Sequence, residues 1–503
     1  MTESRSTRRD FMRRTGVAAV AAITTQVLPA AERLAASRPN IVVILADDLG
    51  WGSLNCYGAP KSLVRTPHCD RLANEGIRLT DANTASSVCS PTRYALVTGR
   101  YCWRTSLKHE VLGTAAPLHI ETSRLTIASL LKKHGYRTAA VGKWHLGYGS
   151  SAKCNYTAEL TPGPLDIGFD YHFAVPSNHG DNTGVFVENR RVVGLRSNKL
   201  DSSKYGKTFY GGGSFLGLDA PQRVDEDVMA TLTRKAVAWL EQQEAGKPFF
   251  LYFTPVAVHR PVTPSAKKKG SSAAGPYGDW IHELDAGVGG VLDALDRKGL
   301  AKDTLVIFTS DNGGVIVPPA QADSPEGQAA KAGLVINGPW RARKHSVYQG
   351  GFRVPFVARW PGRIPAGATS DETISLTDLL ATTAAIVGEP LPPRTEAAED
   401  SYNVLPALLG SKPDHPIRDA MVVHSADGNF AIRQGPWKWI EGKAHPDTLP
   451  GALKARAVEF KPQLYNLAED PAEKNDVLDK HPDVAKRLEA LLNKYREQGF
   501  SRP

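Results

Sequence analysis

Cysteine is scarce in this chain of 503 residues: the five, Cys56, Cys69, Cys89, Cys102 and Cys154, are too few and too scattered for a disulfide framework or a CxxC zinc site. The count is odd. Outside the cytoplasm the other four can pair in three ways that leave Cys89 alone, or all can stay as buried thiols. Long apolar runs are missing too, since no interior stretch approaches the roughly 18 uninterrupted apolar residues of a membrane span. Zinc-finger spacing, an aromatic-basic RNA signature and a lysine-rich arm are all lacking, which argues against a nucleic-acid partner. No internal repeat is visible. What remains is ordinary: 41% hydrophobic and 22% charged residues describe a globular chain. Its length exceeds what one core usually supports, so a large domain with a smaller companion is expected.

The N-terminus carries Thr7-Arg8-Arg9-Asp10-Phe11-Met12, an alanine-rich apolar run from Gly16 to Ile23, and a small-residue exit at Leu28-Pro29-Ala30. That is the pattern of a twin-arginine export signal over residues 1–30, which predicts a periplasmic or secreted protein that the twin-arginine translocase moves already folded. Removing the segment takes away five arginines, Glu3 and Asp10, so the formal charge of +9 falls to +6. A positive surface suits polyanions, and sulfated glycans and nucleic acids would exploit it equally.

From Pro39 to Ala46 the sequence PNIVVILA is continuously apolar and β-branched, as in a strand buried on both faces of a parallel sheet. KPFFLYFT (Lys247 to Thr254) and TLVIFTS (Thr304 to Ser310) repeat the pattern, each ending in polar residues. Between them lie helical periods from Ser123 to His134, ahead of a strand at Tyr136 to Val141, and from Trp280 to Lys298. The alternation predicts an α/β fold: a large, mostly parallel sheet sandwiched by helices over residues 38–392. After Leu391-Pro392-Pro393 the segments shorten. A hairpin at Phe430 to Ile440, a strand at Gln463 to Asn466 and a helix from Pro482 to Gln498 predict a smaller antiparallel subdomain over 393–503. Ser197 to Ala220 and Pro264 to Tyr277 read as surface loops.

Ligands of open parallel sheets gather beyond the carboxyl ends of the strands. Asp47 and Asp48 stand at one such end, where adjacent carboxylates repel unless a cation lies between them. Asp311-Asn312 stands at another, before Gly313-Gly314. All four offer hard oxygen, which favours calcium or magnesium over zinc. The segment Cys89-Ser90-Pro91-Thr92-Arg93 opens a helix running to Thr98 and closed by Gly99, with Ser90 as N-cap and Pro91 in the first position. Cys89 therefore stands at a helix N-terminus that favours negative charge, with Arg93 one turn on.

Cys89-Ser90-Pro91-Thr92-Arg93, followed by Thr98-Gly99-Arg100, resembles the C-x-P-x-R signature of the type I sulfatase family, within the alkaline phosphatase superfamily. The resemblance continues through Gly142-Lys143-Trp144-His145-Leu146-Gly147, His259-x-Pro261, Ser310-Asp311-Asn312-Gly313, the lysine block around Lys344 and Leu464-Tyr465-Asn466-Leu467, and so covers nearly the whole mature chain. It implies that a formylglycine-generating enzyme oxidises Cys89 to formylglycine, and that calcium is bound by Asp47, Asp48, Asp311, Asn312 and the modified Cys89. It implies further that Arg93 and Lys143 hold the formylglycine, that His145 serves its hydrate, and that His259 and Lys344 contact the sulfate and protonate the leaving oxygen. Ser177 and Asn178 resemble a segment on the sulfate side. The chemistry is coherent: an aldehyde hydrate has two hydroxyls on one carbon, one to attack sulfur and one to lose its proton and expel sulfate.

The expected activity is hydrolysis of a sulfate monoester on a carbohydrate. The alternatives are hydrolysis of a phosphonate monoester or phosphodiester on the same machinery, and a catalytically silent binder of sulfated glycans. Two departures from the family pattern stand out. The glycine-rich run around the lysine is here Arg341-Ala342-Arg343-Lys344-His345, and Gln349 replaces a usual glutamate. Arg341, Arg343 and His345 read equally as a subsite for a second anionic group and as solvated surface charge.

Overall fold

The computed structural model describes residues 38–201, 203, 215–442 and 461–503. The export signal, and part of the loop expected at 197–220, lie outside the described residues. Among those described, no helix is long and apolar enough to cross a membrane.

The ten strands of the main sheet run in the order Ala368–Ser370, Ile77–Leu79, Phe356–Arg359, Thr304–Ser310, Asn40–Ala46, Phe249–Thr254, Arg137–Lys143, Tyr171–Val175, Val187–Glu188, Arg191–Val192. The inner five, from Thr304–Ser310 to Tyr171–Val175, are all mutually parallel, while the edges add antiparallel pairs. The apolar runs read as buried strands are these inner ones. Asn40–Ala46 is buried at every position and feeds two cores: Ile41, Val43 and Leu45 face one layer, Val42, Ile44 and Ala46 the other. The first layer holds the helices Cys89–Thr98, Ile127–Lys133 and Leu379–Val387, and the second Pro67–Asn74, Val228–Glu241 and Gly275–Arg297.

The antiparallel sheet is Met421–His424, Phe430–Gln434, Trp437–Ile440 and Gln463–Asn466, joined in sequence order. The Pro482–Gln498 helix packs on one face with Ala95 and Tyr101, and Val347 and Phe352 pack on the other. This small sheet thus leans on both the helix that begins at Cys89 and the segment that carries Lys344.

Several expected boundaries move. The helix expected from Ser123 begins at Ile127, because Thr126 and Ser129 form a reciprocal capping box there. The helix expected from Trp280 begins at Gly275, where Pro276 suits the first turn. Ser90 is not an N-cap: Cys89 is already helical, extended Val88 precedes it, and the Ser90 hydroxyl donates instead to the His145 carbonyl across 3.0 Å. Gly99 does close that helix in the left-handed conformation. All five cysteines are free thiols, so no pairing among Cys56, Cys69, Cys102 and Cys154 is realised.

Candidate active site

Register brings the acidic pairs together. Asn40–Ala46 and Thr304–Ser310 pair in parallel as far as Ala46 opposite Ser310, so Asp47 and Asp311 leave the sheet side by side. The Asp311 carboxylate accepts from Asp48 N across 3.1 Å, with Asp48 in the left-handed region at φ 61°. Asp47 N donates to the Ala257 carbonyl and Val258 N to the Asp47 carbonyl, which draws His259 in from the neighbouring strand. On the other side, Lys143 ends its strand after Gly142, whose φ of 128° and 2.0 Å virtual Cβ distance to the Thr254 carbonyl leave room for glycine alone.

Three cations meet three carboxylates. Lys143 Nζ lies 2.8 and 3.0 Å from the two Asp47 oxygens. Arg93 donates from Nε (3.0 Å) and Nη2 (2.6 Å) to Asp311 Oδ2, and from Nη1 to the Lys143 carbonyl. Lys344 Nζ lies 2.9 Å from Asp48 Oδ2 and 3.5 Å from Cys89 Sγ. His259 Nε2 is 3.6 Å from Asp48 Oδ2. All these side chains are buried.

Burial pushes the Cys89 thiol up to about 12, against the pull of Lys143 and Lys344, so an unmodified Cys89 is a neutral thiol and a poor nucleophile. Burial also pushes Asp47 up to about 7 despite Lys143, with Asp311 adding to the rise. For Asp48 burial acts the same way, but Lys344 and His259 outweigh it and hold the carboxyl below the usual range. His145 is held well below its ordinary value by burial, Lys143 and Arg93, and is therefore neutral. Its Nε2 donates to the Leu112 carbonyl across 3.0 Å, which leaves Nδ1, buried and without a partner, as the basic lone pair. His259 is also held low, by burial first, and its Nδ1 donates to the Arg260 carbonyl.

The donor atoms of Asp47, Asp48, Cys89 and His259 lie within 4.8 Å of one another, a cluster able to hold a metal ion. Asn312 completes the fit: its Nδ2 donates to Asp48 Oδ1 and to the Gly313 carbonyl, and its Oδ1 is buried without a partner. Buried acceptors are seldom left unmatched, and carboxylates plus an amide oxygen suit a hard divalent cation.

The structure therefore brings together Asp47, Asp48, Cys89, Arg93, Lys143, His259, Asp311, Asn312 and Lys344, with His145 behind them. Ser177 and Asn178 follow the neighbouring Tyr171–Val175 strand, where Pro176 accepts from His145 N. Ser177 N donates to Asp181, and Asn178 Oδ1 is buried without a partner. Arg341 does not form an anion subsite: its guanidinium donates to Tyr465 Oη across 3.1 Å and lies over the Tyr348 ring, so it faces the small sheet. Arg343 donates to the Ile316 carbonyl. Sequence reasoning missed Asn337, which donates to the Gly314 and Ala342 carbonyls and accepts from Gly314 N, tying the Asp311 loop to the lysine segment. Nothing local marks it, since it sits in irregular chain. The Leu112 carbonyl was missed for the same reason.

A family model described as Sulfatase matches residues 39–389. An N-acetylgalactosamine-6-O-sulfatase of Bacteroides thetaiotaomicron is 37% identical, over 90% of this chain and 92% of its own length. Arylsulfatase A of Bos taurus is 34% identical, over 91% and 86% respectively. A solved structure from work on the metabolism of multiple glycosaminoglycans by Bacteroides thetaiotaomicron superposes with a TM-score of 0.82 at 35% identity, covering 92% of this chain and all of that one.

Proposed function

We propose, proceeding from the fact that this chain belongs to the sulfatase family, that it removes 6-O-sulfate from N-acetylgalactosamine units of sulfated glycans. It is a sulfuric ester hydrolase. The name of the Bacteroides relative and the glycosaminoglycan setting of the structural neighbour support the sugar. The observation that carries the reading is Cys89 at a helix start, its sulfur 3.5 Å from Lys344 Nζ and within one 4.8 Å cluster with Asp47, Asp48 and His259.

In this reading Cys89 is oxidised to formylglycine by a formylglycine-generating enzyme, and Asp47, Asp48, Asp311 and Asn312 hold calcium beside it. The ion, when bound, supplies fixed positive charge against the sulfate oxygens and makes a neighbouring hydroxyl easier to deprotonate. Arg93 and Lys143 lock Asp311 and Asp47 in place, and with Lys344 they oppose charge developing on the transferring group. Lys344 remains protonated because Asp48 outweighs the effect of its burial, so it carries a proton for the leaving oxygen. Neutral His145 is in the protonation state of a base. Ser177 and Asn178 line the sulfate side.

The test is peptide mass spectrometry of the Cys89 segment, then rates on 4-nitrophenyl sulfate, a phosphonate monoester, and the 6- and 4-sulfates of N-acetylgalactosamine. Fastest turnover of the 6-sulfate is expected; faster phosphonate cleavage overturns the reaction, and preference for the 4-sulfate overturns the position. We also propose twin-arginine export to the periplasm, for which Arg8→Lys with Arg9→Lys leaves unprocessed precursor inside the cell; normal export of that variant refutes the route.

A further inference from the structure

Lys344 reaches the site from irregular chain. Residues 341–348 form no helix or strand before the short Gln349–Phe352 turn, so this segment cannot hold its own backbone in place by regular hydrogen bonding. On one side Lys344 N donates to the Gly314 carbonyl and His345 N to the Ser87 carbonyl, across 3.1 and 3.0 Å. On the other side the small sheet and the chain that follows its last strand take over. Glu473, fully buried, accepts from Gln349 N across 2.7 Å with one carboxylate oxygen and pairs with Lys438 Nζ through the other. Lys438 Nζ also donates to the Val347 carbonyl across 2.7 Å, and the Glu473 carbonyl accepts from Arg341.

We infer that the buried Glu473–Lys438 pair is a positioning device for Lys344, which makes the C-terminal sheet a working part of the active site. The inference rests on the reading above that Lys344 acts on the substrate. A buried ion pair is a poor source of stability, and an apolar pair of similar volume would pack as well or better. What charges add here is direction. Glu473 fixes a backbone N–H five residues after Lys344, Lys438 fixes a carbonyl three residues after it, and Glu473 also catches Arg341 three residues before it. The segment is held at both ends around the one side chain that must touch Asp48 and position 89 together. Val347 and Phe352 press into the same sheet, so the two domains meet along this segment. Neither Glu473 nor Lys438 touches the reacting atoms, so a displaced segment should alter turnover more than ground-state binding.

The test uses the full-length protein with conversion of Cys89 confirmed by mass spectrometry. Glu473→Gln is expected to lower kcat on a sugar sulfate by about tenfold or more while KM moves less than about threefold. Hydrogen–deuterium exchange should quicken in peptides spanning residues 341–352 and not across the rest of the small sheet. In a Lys344→Ala background, Glu473→Gln should change the remaining rate by less than about twofold, because the lost contact acts through a side chain already removed. Losses that multiply in the double variant, an unchanged kcat, or exchange that rises throughout the small sheet each overturn the inference. Should Glu473→Gln fail to fold, Arg341→Met, at an exposed side chain, releases the segment from its other end and is read against the same criteria. A fully active Lys344→Ala instead refutes the role of Lys344 itself, a separate failure from an impaired Lys344→Ala in which Glu473 acts independently.

Discussion

Asn312 gives its side-chain N–H to Asp48 Oδ1 across 2.8 Å and keeps its own carbonyl oxygen buried with nothing from the protein to accept. The amide thereby orients one carboxylate and presents a further hard donor next to it. Chelation should lower the melting temperature and the rate together, and added calcium should restore both, because a ligand that binds only the folded state stabilises it by mass action. Asn312→Ala should weaken calcium by at least about tenfold in calorimetry, the usual cost of losing a group that orients a metal-binding carboxylate. Melting and turnover indifferent to chelator would remove the cation from the account.

Cys89→Ala deletes one buried sulfur and should cost only about 1 kcal/mol of stability. Turnover should fall at least about 10³-fold, because the nucleophile has no substitute. Affinity for a sulfated sugar, measured by calorimetry, should stay within a few-fold of the parent. Retained hydrolysis would falsify the assignment of the nucleophile.

Arg93 is fully buried and grips Asp311 through two nitrogens. Replacing it with Met strands a buried carboxylate, which should cost about 3–5 kcal/mol. Arg93→Lys keeps the charge but not the fork, so it should melt above the Met variant and still lose about 100-fold in kcat. Equal melting temperatures for the two variants would show that charge at position 93 is irrelevant to the fold.

Asp81 predicts a pH dependence. Burial would raise its carboxyl, but Arg353 and Arg433 outweigh burial and hold it below the usual carboxylate range. Arg433 Nη2 lies 2.8 Å away and belongs to the small sheet, so the pair fastens that sheet to the chain leaving the Ile77–Leu79 strand of the large one. A folded pKa below the unfolded one gives stability that is complete above the unfolded value and is lost as pH falls towards the folded one. Asp81→Asn should therefore cost about 3 kcal/mol near pH 7, and the deficit should narrow below about pH 4. Denaturant melts of both proteins at pH 7 and at about pH 2.5, between the unfolded and the folded value, check this, and a constant deficit refutes it.

Local order was the legible part. The runs at 40–46, 249–254 and 304–310 could be read as buried parallel strands because no polar residue interrupts them, and Pro482–Gln498 has the same bounds in sequence and structure. Where reading failed, a distant group had decided a local matter. Ser90 has the composition of a cap, but its hydroxyl is claimed by the carbonyl of His145, 55 residues away. Arg341 sits beside Lys344 in sequence, yet an aromatic ring and Tyr465 turn it towards the small sheet.

The chain's own residues determined which atoms could bind a hard cation, which cysteine opens a helix, and which strand ends carry acids, since each depends on chemistry within a few neighbouring residues. Folding alone decided that Lys143, His259 and Lys344 converge on those acids, that the other thiols stay single, and that Glu473 reaches the lysine segment. Such meetings join residues up to 296 positions apart. They depend on how strands order in the sheet and where loops close, which no local pattern encodes.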